Sequence, residues 1–293
     1  MKVDVIINVY GKPWQTLCSL KLLMKHSGEH IDKIYFIEEK EQPYNDDLSW
    51  VVKEFDNLIH FIPQKYAFIG RKNSFGDLNI PENRYNFRYQ YGIENSDKKY
   101  VFVMHNDMLF YGDIIGDMLN EIEGAAGIGM LSQCWNCPAN FANKCNRDKY
   151  YEYNPTYNEI ISLCNSFPPV RGDQFTSMID KNTPMPLPEC RLNEFASLID
   201  REVCIKECPP HSNSSLFGSY DGIDMGTVWF RDLVLKGYNF KHYELNRTSE
   251  HAYYSIQAMN GLNSGYQVQL NNDMYKTVEM FAKKYYEDNL KNI

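Results

Sequence analysis

Acidic side chains and one imidazole recur at the ends of apolar runs in this chain, where they could hold a cation or move a proton. Tyr100-Val101-Phe102-Val103-Met104, preceded by Lys98-Lys99, leads into His105-Asn106-Asp107. A short apolar run bounded by charge predicts a buried strand, so Asp107 lies beyond a strand's carboxyl end. In open α/β sheets that end faces the ligand crevice. Lys33-Ile34-Tyr35-Phe36-Ile37 likewise closes on Glu38-Glu39, and Asp221-Gly222-Ile223-Asp224 precedes a helical pattern. His251 follows the strand-like Phe240-Lys241-His242-Tyr243-Glu244-Leu245. Carboxylates and an imidazole gathered at element ends suit a divalent cation bound to a diphosphate. Each also has a simpler use. Glu38-Glu39 could close a solvated turn, and Asp224 could cap a helix N-terminus. His251 could be a surface histidine, with His242 as a rival imidazole.

The cysteines offer a second chemistry. Cys134-x-x-Cys137 is followed by Cys145, and then by Cys164, Cys190, Cys204 and Cys208. Thiolates two residues apart in a turn reach two corners of a tetrahedron, so Cys134, Cys137, Cys145 and Cys190 could hold a structural zinc ion. Reduced cysteines with no metal are the equal alternative, because no second Cys-x-x-Cys is present.

The elements that position these groups alternate. Val3 to Tyr10 predicts a strand, and Pro13 opens a helix with Trp14, Leu17, Cys18 and Lys21 on one face. Further strands are expected at Lys33–Ile37, Leu58–Ile62 and Gly127–Leu131, with helices at Arg84–Asn95 and Ile114–Ile122. Alternation of this kind predicts an α/β fold, a mostly parallel twisted sheet flanked by helices. Ser132 to Ser219 breaks the pattern with proline and cysteine, and predicts an irregular insertion. Three parts follow: 1–131, the Cys/Pro-rich 132–219, and 220–293. The last begins with a helix from Met225 to Lys236 that Gly237 ends, and finishes with an amphipathic helix from Met274 to about Leu290.

Composition narrows the classes. The 293 residues are 43% hydrophobic, enough for one large domain, and carry 30 basic against 38 acidic groups. With a net charge of -8 and no basic block, a nucleic-acid surface is not expected. No apolar run is long enough for a membrane helix, and the first ten residues are strand-like rather than a leader. The expected location is therefore the cytoplasm, with reduced thiols and at most peripheral membrane contact.

In order and spacing, these pieces resemble the family 2 glycosyltransferases of the GT-A fold. Val5-Ile6-Ile7-Asn8-Val9-Tyr10 is similar to the family's opening strand, whose end touches the nucleotide. Phe36-Ile37-Glu38-Glu39 matches the strand whose acidic end holds base or ribose, and Arg88-Tyr89-Gln90-Tyr91-Gly92-Ile93 the helix entering the metal strand. His105-Asn106-Asp107 falls on the Asp-x-Asp position with one carboxylate instead of two. Asp224 to Arg231 followed by Gly237-Tyr238 resembles the catalytic-base signature, and His251 stands where a histidine often completes the metal site. Asn271 to Tyr285, with Phe281 and Lys284, is similar to the closing helix.

The resemblance implies an inverting, metal-dependent transfer of a sugar from a nucleotide-diphosphate sugar to a glycan or lipid-linked acceptor, as in polysaccharide biosynthesis. It implies that Val9, Tyr10, Glu38, Glu39, Arg88, Asn106 and Asp107 meet the donor, and that Asp107 and His251 hold Mn²⁺ or Mg²⁺. Asp224 would be the base, with Asp221 its rival three residues earlier. In the middle segment Arg191, Asn193, Glu194 and Trp135 could meet the acceptor, and Tyr150, Tyr151, Tyr153 and Tyr157 could stack on sugar rings or form a small core. The closing helix could serve a homodimer as well as a monomer. Two other readings compete: a nucleotidyltransferase-like enzyme, and a non-catalytic sugar-binding protein descended from a transferase. For the first, Tyr10-Gly11-Lys12-Pro13 supplies only a fragment of a phosphate loop.

Overall fold

A computed structural model describes residues 1–65, 70–253 and 270–291. Nine strands are described: β1 Val3–Val9, β2 Ile31–Glu38, β3 Leu58–Phe61, β4 Tyr100–Met104, β5 Met108–Phe110, β6 Gly127–Leu131, β7 Leu192–Asp200, β8 Phe240–His242 and β9 Ser249–His251. Seven form one sheet in the order β3-β2-β1-β4-β7-β6-β8, and β5 pairs with β9 in a second, two-stranded sheet. β1, β2, β3 and β4 run parallel, β7 is antiparallel to both neighbours, and β8 is parallel to β6. This is the α/β, mostly parallel architecture expected from the alternation.

All seven residues of β1 and all five of β4 are buried, as continuous apolar runs inside a sheet covered on both faces require. One apolar layer packs under the helix Pro13–Ser27 through Leu17, Leu20 and Leu23; the other holds Phe87, Ile93, Trp229 and Phe230. The closing helix, Asn272–Asn289, lies on the helix Pro13–Ser27 within the same chain. Among the described residues no helix is long and apolar enough to cross a membrane.

Two expectations are corrected. The stretch Arg84–Asn95 is not one helix: short helices Pro81–Arg84 and Gln90–Asn95 flank a break at Tyr89, which sits at φ 65°. The break presents the Arg88 carbonyl to Gly218 so closely that any Cβ at Gly218 would overlap it. Residues 132–219 are also less irregular than expected, because they contain β7, nine residues long and central in the sheet. β7 was hidden by its polar content, since Asn193, Glu194 and Ser197 are all buried on it.

Candidate active site

The turn after β1 builds the first part of the site. Gly11 and Lys12 both adopt left-handed backbone, at φ 64° and 61°. A side chain at Gly11 would collide with Pro43 and the Tyr275 hydroxyl, so glycine is required there. Lys12 is held in its strained conformation by one contact from far along the chain and one from the next helical turn. Its N–H donates to the Tyr275 hydroxyl at 2.5 Å, and its carbonyl accepts from Thr16. The turn sends the Lys12 ammonium to Asp107 Oδ2, at 2.7 Å, with both side chains buried.

The turn after β4 supplies the second part. His105 N–H donates to the Phe195 carbonyl, extending the β4–β7 pairing by one residue. The Asn106 amide donates to the Gly11 carbonyl and Thr16 Oγ1, both at 3.0 Å, tying the two turns together. Asp107 is thus fixed between them. The pairing of β5 with β9 sets Met108 opposite His251, and Ala252 N–H donates to the Asp107 carbonyl. That register carries His251 across about 140 residues of sequence to Asp107.

His105, Asp107 and His251 form a three-ligand cluster, with one donor atom from each lying within 4.8 Å of the others. Asp107 Oδ1 stands 3.3 Å from His251 Nε2 and 3.8 Å from His105 Nδ1. Unlike Oδ2, it is buried without a well-aligned donor. Phe195 stacks on the His251 ring at 4.1 Å and meets His105 edge-on, fixing both imidazoles. Burial alone would raise the Asp107 carboxyl, but Lys12, His251 and His105 outweigh it and hold it well below its usual range. Burial pushes the His105 imidazole below its usual value, toward the neutral form that can ligate a metal. An orphaned carboxylate oxygen between two imidazoles fits a divalent cation.

From His105 a polar chain continues. His105 Nε2 lies 3.4 Å from Glu194 Oε1, and Glu194 Oε2 accepts from Arg191 at 2.6 Å. Arg191 Nη2 lies 3.4 Å from Asp224 Oδ2, which also takes Arg171 at 2.9 Å and the Gln133 amide at 3.1 Å. Asp224 Oδ1 accepts the Met225 N–H. Burial disfavours the charged Glu194 carboxylate, yet Arg191 and His105 hold it below the usual range. Glu189, buried beside Arg171, is pushed up by desolvation.

The structure therefore brings Asp107, His251, Glu194, Arg191 and Asp224 into one network. Other expected residues lie elsewhere or are engaged structurally. Asp221 accepts from Ser215, Ser219 and the Lys72 N–H, locking a separate loop junction. Glu38 pairs with His60 at 2.8 Å, whereas Glu39 is buried and accepts from Asn8 at 3.0 Å beside the end of β1. The Asn193 amide donates to the Met130 and Ser132 carbonyls. Trp135 is exposed, and Tyr150 is buried. Val9 ends β1, with Tyr10 leading into the Gly11-Lys12 turn; Arg88 lies under Gly218.

Lys12, Gln133, Arg171 and Glu189 were not expected to be site residues, nor was His105 expected to be a ligand beside Asp107 and His251. Lys12 carried a signal, since a lysine directly after a glycine in the turn beyond a strand end is suited to anion contact. Arg171, in a proline-rich stretch, carried none.

No protein-family profile matches the chain, and no curated protein matches it. Among solved structures, a mannosyltransferase from Pyrobaculum calidifontis in complex with GDP-Man and Mn²⁺ is similar, at 9% identity and TM-score 0.47, over 97% of this chain and 69% of that one. Mouse xyloside xylosyltransferase 1 gives 11% identity and TM-score 0.43, over 83% and 85%. TarS from S. aureus gives 9% and 0.45, over 100% and 74%. At these values the likeness says nothing about this chain's substrate.

Proposed function

We propose that the chain is a glycosyltransferase that uses a nucleotide-diphosphate sugar and inverts the anomeric centre. The observation that carries this reading is the series of close polar contacts Asp107–His105–Glu194–Arg191–Asp224, at 3.8, 3.4, 2.6 and 3.4 Å, which joins a cation-fitting cluster to a second carboxylate. Asp107, His105 and His251 would hold Mn²⁺ or Mg²⁺, which when bound offsets negative charge on a leaving diphosphate. Lys12 would supply a second positive charge at that point, and Glu39 with Asn8, at the ends of β1 and β2, would meet base or ribose. Asp224 would take the proton from the acceptor hydroxyl, with Arg171 and Arg191 on Oδ2 and the Met225 N–H on Oδ1 holding the carboxylate in place. A glycan or lipid-linked acceptor and a cytoplasmic setting complete the reading.

One observation favours a second reading, nucleotide-sugar binding without turnover: Lys12 occupies one Asp107 oxygen and two arginines hold Asp224. The test is release of nucleoside diphosphate from a panel of nucleotide sugars, with Mn²⁺ and with chelator. Release that requires Mn²⁺ supports the transferase. Binding without release from any donor supports the second reading.

A further inference from the structure

We infer that Cys134, Cys137, Cys145 and Cys190 form a structural zinc site that clips the loop after β6 to the start of β7. It is separate from the histidine–aspartate cluster and does not depend on what that cluster binds.

Local backbone geometry collects the four thiols. Cys134–Asn136 forms a single 3-10 turn, and the Cys137 N–H closes it on the Cys134 carbonyl. A turn with Asn143 at φ 54° then folds the chain back, and Lys144 and Cys145 N–H groups both donate to the Ala139 carbonyl. Cys190 arrives from another direction. Ser132 N–H donates to the Arg191 carbonyl and Gln133 N–H to the Glu189 carbonyl, zipping the end of β6 to the residues before β7. The result is a small cavity of about 10 Å³ lined by all four cysteines together with Ser132, Asn140 and Glu189. That is room for about one water-sized occupant.

Three features favour a metal over four idle thiols. All eight cysteines are free, so no disulfide competes for these sulfurs. The Asn140 N–H donates to the Cys137 carbonyl and the Asn140 amide to the Cys145 carbonyl, holding the backbones of two of the cysteines against each other. The Arg147 guanidinium lies against Cys134, placing positive charge where a tetrathiolate centre carries net negative charge. No three of these sulfurs lie within 4.8 Å of one another, so closing a Zn–S₄ tetrahedron, with an edge of about 3.8 Å, draws them inward. Cysteine ligands alone and full tetrahedral closure leave no open position, which makes the site structural rather than catalytic. Its purpose follows from Glu189 and Arg191, which flank Cys190 and carry the contacts to Arg171 and Asp224.

Elemental emission on the reduced full chain should find about one equivalent of zinc. Cys145→Ser should lower it at least about tenfold, while Cys164→Ser, outside the cavity, and Asp107→Asn leave it unchanged. Because Cys145→Ser could unfold, the wild-type chain stripped by chelator is also titrated with Co²⁺. Intense visible bands of tetrahedral cobalt thiolate are expected, with four thiols becoming protected from a thiol reagent. Absence of zinc together with absence of those bands would overturn the site. So would zinc that is lost in Asp107→Asn and kept in Cys145→Ser, or a disulfide among the four cysteines in the freshly isolated chain.

Discussion

Lys12 Nζ lies 2.7 Å from Asp107 Oδ2, bridging two strand-end turns that are 95 residues apart in sequence. Both side chains are buried, so each charge relies on the other. The carboxylate keeps its second oxygen toward His105 and His251. One residue therefore serves two purposes: an internal ion pair holds it ionised, and its other face is left to ligate.

Removing the lysine should expose that division. Lys12→Met leaves a buried, unpaired carboxylate, a loss of about 3–5 kcal/mol in chemical denaturation. Added Mn²⁺ should restore part of it by binding the folded state. Wild-type stability in this variant, or no effect of Mn²⁺ on it, would count against the arrangement.

The two acidic candidates near residue 224 should part company. Asp224→Asn is expected to lower turnover about 10²–10⁴-fold with donor affinity nearly intact, as loss of a general base does. Asp221→Asn, whose carboxylate holds Ser215, Ser219 and Lys72, should lower the melting temperature while turnover per folded molecule stays within a few fold. Steady-state kinetics and thermal melts on both variants check this. The reverse pattern would move the base to Asp221.

The closing helix should loosen as pH rises. Glu279 accepts from the Trp14 N–H and the Gln15 amide, and burial pushes its carboxyl up to about 7. A raised folded-state value means that its stabilising contribution is complete below the unfolded value of about 4.5 and is lost as pH climbs through about 7. Stability should fall by at most about 1.4 kcal/mol per pH unit in that window. Glu279→Gln should flatten the dependence in melts between pH 5 and 8. An equal slope in both proteins would assign it to other groups.

The imidazole shelf should matter for the cation more than for the fold. Phe195→Leu removes the ring that stacks on His251 and is expected to weaken Mn²⁺ affinity about tenfold. Calorimetric titration of the metal measures it, and unchanged affinity would mean that the stack does not orient the ligand.

Much of this arrangement was legible from residue order. The apolar runs ending at Val9, Glu38 and Met104 became adjacent parallel strands, since buried parallel strands need continuous apolar sequence. Asp107 and His251 were legible as element ends, although their meeting depends on the β5–β9 pairing, two three-residue strands too short to leave a periodic signal. β7 was obscured because its buried polar residues are satisfied by partners that only the folded chain brings to them. Glu194 needs Arg191 and His105, and Asn193 needs Met130 and Ser132. Arg171 illustrates the remainder: its role exists only through the fold that brings it to Asp224 and Glu189.

The central claim, that His105, Asp107 and His251 gather a cation and a diphosphate at one crevice, is tested most directly by titrating UDP and GDP into the chain by calorimetry, with Mn²⁺ and after chelation. The account predicts Mn²⁺-dependent binding of at least one nucleotide to the wild type, weakened by at least about tenfold in Asp107→Asn and in His251→Ala. Binding that is equal in all three proteins, or no binding of either nucleotide tighter than about 1 mM, would contradict it.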